Sequence, residues 1–142
     1  MHSRASNSLP IQAEPLGGLL ALLAALFDDE IRAVYARGGV ASFRSLLDSP
    51  FCYVPHDIVV TGALTAGDLC DIAASLAPRP MRLDGWVDGL NRAVSEDTLT
   101  KTFDSARKAY RSGGVEDRLQ FEAERKGSES VAHWLLGQLS AK

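Results

Sequence analysis

Asp84 and Asp88 are the residues of this chain best placed to do chemistry. They stand in Leu76-Ala77-Pro78-Arg79-Pro80-Met81-Arg82-Leu83-Asp84-Gly85-Trp86-Val87-Asp88-Gly89. Pro78 and Pro80 stop a preceding helix and hold the next residues extended, so Met81 to Asp84 reads as a short buried strand. Both aspartates then lie at its C-terminal end. In open α/β sheets that edge gathers ligands and catalytic side chains, so a carboxylate there is better placed for acid–base work than one on a helix face. The competing reading is that the two aspartates cap and solvate a loop, as aspartate commonly does in turns.

Other reactive groups are scattered. Ser42 and Ser45 are the only serines near a predicted strand end, and neither has glycines on both sides at nucleophile-elbow spacing. His2 lies in a polar tail and His56 in an irregular excursion. His133 falls inside the final helix beside Trp134, where helix packing sets its direction and a structural role is expected. Cys52 and Cys70 lack a Cys-x-x-Cys partner or nearby histidines, so they read as structural thiols rather than zinc ligands or a disulfide. There is no Gly-rich phosphate loop and no metal-spaced His or Cys cluster, and no cofactor or metal is expected.

The chain has 142 residues, the length of one domain, with 46% hydrophobic residues, 23% charged residues and a formal charge of −3. That charge gives no footprint for nucleic acid, and Lys and Arg are not interleaved with aromatics. The apolar run Leu16 to Phe27 ends in Asp28-Asp29-Glu30 without a small-residue cleavage site, and it is shorter than the about 20 residues a membrane span needs. A cytoplasmic protein without membrane contact is the expectation.

The elements that must position the aspartates follow from periodicity. Residues 1–12 are serine-rich and interrupted by Pro10, a disordered lead-in, and residues 13–142 form a single domain. Leu16 to Phe27 is a helix apolar on nearly every face and must be buried. Ile31 to Tyr35 reads as a buried parallel strand leaving at Gly38-Gly39. Ser42 to Leu47 forms a short helix, and Ser49 to Thr61 an excursion in which Ile58-Val59-Val60 has strand character. Asp68 to Leu76 is helical with an aspartate at its start, and a longer helix runs from a Ser95 cap to Ser112. Arg118 to Ala123 is the last strand and Ser128 to Leu139 a closing amphipathic helix. The pattern α-β-α-α-β-α-β-α predicts a three-layer αβα fold with a short parallel sheet of about three strands.

The segment Asp71-Ile72-Ala73-Ala74-Ser75-Leu76-Ala77-Pro78-Arg79-Pro80 resembles the stretch that leads into the acid-bearing strand of α/β-hydrolases, specifically acetyl-xylan-esterase-like and dienelactone-hydrolase-like carboxylesterases. Further matches lie in order on both sides. Gly38-Gly39-Val40-Ala41-Ser42-Phe43-Arg44-Ser45-Leu46-Leu47 precedes it, and Arg107-Lys108-Ala109-Tyr110 and Trp134-Leu135-Leu136 follow. The resemblance covers roughly Pro15 to the C-terminus. Domains of that family run to about twice this length, so the chain corresponds to a C-terminal half.

The resemblance implies a serine on a Gly-x-Ser-x-Gly turn, an acid after a later strand and a histidine after the last one. The turn aligns with Ala13-Glu14-Pro15-Leu16-Gly17, where the nucleophile position holds Pro15, a residue with neither an oxygen nucleophile nor a backbone N–H. The acid position matches Asp88, with Asp84 the second choice. Glu124-Arg125-Lys126-Gly127-Ser128 contains no histidine. A degenerate, catalytically silent scaffold or binding remnant is therefore expected. The strand near Ile31 to Tyr35 would be an open edge that invites a homodimer or a separately encoded N-terminal half. The alternative is a carboxylic-ester hydrolase of acetyl esterase type, with Asp88 as acid and another chain completing the site.

Overall fold

A computed structural model describes residues 16–141. In chain order the helices are α1 (Leu16–Phe27), α2 (Ala63–Ala66), α3 (Leu69–Ser75), α4 (Glu96–Thr102), α5 (Asp104–Ser112) and α6 (Ser128–Ser140). The strands are β1 (Val34–Arg37), β2 (Met81–Asp84) and β3 (Leu119–Glu122). They form one parallel sheet in the order β1-β2-β3. Helices flank both faces, giving a three-layer αβα arrangement.

The register makes the two faces chemically unlike. Val34, Met81 and Leu119 lie side by side, as do Ala36, Leu83 and Phe121, and these rows share one apolar core with residues of α1, α3 and α5. The alternate rows are Tyr35, Arg82 and Gln120, then Arg37, Asp84 and Glu122. One face is therefore apolar and carries the core, and the other is polar. α6 crosses the polar face, with Trp134 edge-on to Tyr35 at 5.4 Å between ring centroids, and none of its described side chains is fully buried.

The core centres on Trp86, Tyr110 and Phe103 with the leucines of α1 and α3. Trp86 Nε1–H donates to Ala36 O at 3.0 Å and its ring meets Phe103 edge-on, so an indole in the site loop anchors that loop beneath β1. Tyr110 O–H donates to Arg79 O at 2.6 Å, and burial pushes its phenol up to about 12. The Arg79 guanidinium reaches Ala25 O and Asp28 O and pairs with Asp29 at 2.7 Å, closing the C-terminus of α1 onto the entry to β2. Gly18 allows α1 to lie on the β1 exit turn, since a Cβ there would collide with the Gly38 carbonyl.

Four expectations shift. β1 begins at Val34, three residues later than the apolar run, because its first ladder bond is Val34 N–H to Pro80 O at 2.9 Å. The helix expected from Ser95 to Ser112 divides at Phe103, whose backbone leaves helical geometry (φ −95°, ψ 28°) while its ring packs against Trp86 and Phe121. Ile58-Val59-Val60 is not a strand. Ile58 ends a 3₁₀ turn, His56–Ile58, and plugs into the core, leaving Val59 and Val60 half-exposed. Ser42 to Leu47 contains only a 3₁₀ turn, Arg44–Leu46. Pro15 and the lead-in lie outside the described residues.

Candidate functional site

Asp84 closes β2 and is fully buried. Gly85 turns the chain immediately with φ +62°, and Arg125 fills the space its side chain would take. Asp84 Oδ2 accepts Tyr35 O–H at 2.7 Å and Lys126 N–H at 3.0 Å. One carboxylate oxygen therefore joins β1, β2 and the loop after β3. Its Oδ1 has no partner among the described residues. Burial, with the hydrogen bond to the Asp84 carboxylate adding to it, pushes the Tyr35 phenol up to about 12. Arg82 sits over the Tyr35 ring at 5.8 Å and pairs with Glu122 at 2.7 Å, placing a compensating cation on the same face.

Asp88 lies four residues further on, in the loop between β2 and α4. That loop is shaped by bridges from Val87 to Val40 and Ala93, by Gly89 lying against the Ser45 carbonyl, and by left-handed Asn91 at φ 59°. Asp88 Oδ1 accepts the amides of Leu90 and Arg92, both at 3.0 Å. Its Oδ2 accepts Arg92 Nε at 2.8 Å and Nη2 at 2.7 Å. Partial burial pushes the carboxyl up, but the Arg92 side-chain bond and the two amides outweigh it and hold Asp88 below the usual carboxylate value. The group stays ionised and is spent on its own turn, as an Asx-type turn with an i,i+4 ion pair.

Ser42, Ser45 and Asp88 line one cavity of about 430 Å³, together with Asp48, Thr98 and Thr102. Ser42 Oγ donates to Asp68 Oδ2 at 2.5 Å and accepts the Arg44 amide at 3.0 Å. Asp68 also accepts Phe43 N–H at 2.8 Å and Leu69 N–H at 2.7 Å, and it forms a reciprocal capping box with Asp71 at the start of α3. With its oxygens shared among backbone amides as well as the Ser42 hydroxyl, Asp68 fastens the 42–47 turn to α3. Asp68 at the helix start is legible in the sequence, but its reach to Ser42 is not. The Asp68-x-x-Asp71 spacing was the available signal.

The structure does not gather a triad from these parts. His56 lies in the 3₁₀ turn of the excursion and His133 on the outside of α6, both exposed, and neither bonds a carboxylate among the described residues. Among those residues no group of three His, Cys, Asp or Glu side chains could hold a metal ion, and no single helix is long and apolar enough to cross a membrane.

A parallel β1-β2-β3 sheet between helical layers, with acids at the C-terminal end of its middle strand, is an α/β-hydrolase-type fold. Solved structures that share it include a carbohydrate esterase family 15 glucuronoyl esterase from Caldicellulosiruptor kristjansonii, with TM-score 0.52 and 21% identity over 83% of this chain and 39% of that one. Another is the glucuronoyl esterase catalytic domain from Hypocrea jecorina, with TM-score 0.54 and 18% identity over 87% of this chain and 40% of that one. The likeness at these identities is one of fold, and this chain spans about two-fifths of either structure. No protein-family profile and no curated protein sequence matches the chain.

Proposed function

We propose that this chain is a non-catalytic α/β-hydrolase half that works by association, as a self-associating scaffold or binding remnant. The observation that carries this reading is the occupancy of the two edge aspartates. Both oxygens of Asp88 are taken by Leu90 and Arg92, and Asp84 Oδ2 is held by Tyr35 and Lys126, so both residues serve the fold where a hydrolase needs an acid facing an imidazole. Pro15 at the aligned nucleophile position supports the same reading.

A second reading is a carboxylic-ester hydrolase of acetyl esterase type, completed by another chain. It is supported by the shared fold with two glucuronoyl esterases and by the cavity that places Ser42 and Ser45 beside Asp88. Hydrolysis of p-nitrophenyl acetate by the purified chain and by Asp88→Asn separates the two. Turnover no higher than buffer from folded protein is expected. Turnover that Asp88→Asn abolishes would replace the first reading with the second.

A further inference from the structure

The proposed association has a geometric consequence at β1. Val34 N–H bonds Pro80 O and Gly38 N–H bonds Asp84 O, so the even-numbered residues of β1 direct their backbone groups at β2. Tyr35 and Arg37 therefore direct their N–H and C=O groups away from it. Neither amide has a backbone partner among the described residues. An edge left unpaired by the described residues is a template for another strand.

Two helices sandwich that edge. α1 packs on the apolar face, with Gly18 against Gly38, and α6 runs over the polar face from Arg37, bonded to Ser128, to Leu139 beside Arg32 and Ala33. Leu19, Leu23 and Leu26 of α1 face Ile72 and Ser75 of α3. By helical spacing the opposite flank, Gly17, Ala21 and Ala24, faces the open edge. Small residues there let another helix approach closely. α1 carries no charged residue, and the acidic run Asp28-Asp29-Glu30 follows its C-terminus.

We infer that the occupant of this edge is a second copy of the chain, paired antiparallel through β1 about a two-fold axis at Ala36. In that register Tyr35 forms a hydrogen-bonded pair with Arg37 of the other copy, and every outward N–H and C=O of the two residues is satisfied. The small Ala36 side chains meet on the axis, and Tyr35 lies beside Arg37 rather than beside its own image. Shifting the axis to Arg37 would oppose two arginines, an unfavourable cross-strand pair. Shifting it to Tyr35 would recruit Ala33, outside the strand. The same operation lays the α1 helices antiparallel. Each acidic run then sits beside the N-terminus of the other α1, the attractive end of its dipole. A self-complementary interface of this kind joins two three-stranded sheets into one.

This inference rests on the non-catalytic, associating reading, and the test separates the two. Dissociation constants are measured by analytical ultracentrifugation over a hundred-fold concentration range for wild type, Arg37→Ala, Arg37→Pro and Ala24→Glu, with p-nitrophenyl acetate hydrolysis followed on the same samples. Arg37→Ala keeps the outward amide and should stay within about tenfold of wild type. Arg37→Pro deletes that amide without touching the β1–β2 ladder and should weaken the dimer on the order of 100-fold. Ala24→Glu, at a position exposed in the single copy, should do the same and stands in if the proline variant does not fold. A wild type that is monomeric throughout, or a dimer indifferent to Ala24→Glu or to a folded Arg37→Pro, overturns the pairing. Turnover overturns the non-catalytic reading and leaves the pairing standing.

Discussion

Neighbouring glycines at the start of α1 should respond in opposite directions to the same methyl group. At Gly18 an alanine Cβ would collide with the Gly38 carbonyl and lie 3.0 Å from Gly39 Cα. Both obstacles are backbone, so no rotamer change relieves them and α1 must lift from the β1 exit turn. A lift of about 1 Å forfeits a quarter to a half of each dispersion contact beneath it. Leu19 and Leu22, buried there, are each worth about 1.5–3 kcal/mol. Set against up to about 1 kcal/mol gained from replacing helical glycine, this loss of about 1–3 kcal/mol leaves a net cost for Gly18→Ala of about 1 kcal/mol, which overpacking strain extends toward about 3 kcal/mol. At Gly17 the nearest obstacle is Arg37 O at 3.8 Å, ordinary contact, so Gly17→Ala should stabilise by about 0.5 kcal/mol. Urea titration, at concentrations low enough to keep the chain monomeric, reads both as midpoint shifts at constant slope. Equal midpoints for the two variants, or a Gly18→Ala protein as stable as wild type, would refute the described seating of α1 on β1.

Asp68→Ala removes the α3 cap and the partner of both Ser42 and Phe43, so a loss of about 2–3 kcal/mol is expected in the same titration, with Asp68→Asn recovering part of it. At alkaline pH the phenols of Tyr35 and Tyr110 ionise near 12 in the folded chain against about 10 when unfolded. Because the folded values are raised, their stabilising share is complete below about pH 10 and disappears as pH climbs to about 12. Denaturant midpoints should fall across that window, Tyr35→Phe should reduce the fall, and phenolate absorbance reads the titration directly.

The sequence carries the β2 region to the residue, because Pro78 and Pro80 leave one conformational option and Met81 to Asp84 fulfils it. It also carries α1, α3 and α6, where composition, a capping aspartate and periodicity each act locally. The misplaced elements depend on distant partners. β1 starts where Pro80 O offers an acceptor, and the helix after Ser95 breaks because Phe103 fits between Trp86 and Phe121. The polar face of the sheet escapes notice because three separate strands contribute to it and each is only four residues long. For the same reason the sequence places Asp84 and Asp88 on the right edge but is silent on what they bind there. Tyr35 lies 49 residues from Asp84, whereas Arg92, four residues from Asp88, was within reach of i,i+4 reasoning.

The position of α6 divides the molecule into parts of unequal permanence. Its thirteen residues rest on a polar surface with Leu136 and Leu139 at 62% and 70% exposure, while the amides of β2 lie between two strands above a dry core. In amide-exchange terms α6 should open as its own cooperative unit, far below the free energy needed to release β2. Limited proteolysis should reach it first. The Asp84 carboxylate, buried beneath the loop that leads into α6, would then keep its tyrosine partner while the helix itself comes and goes.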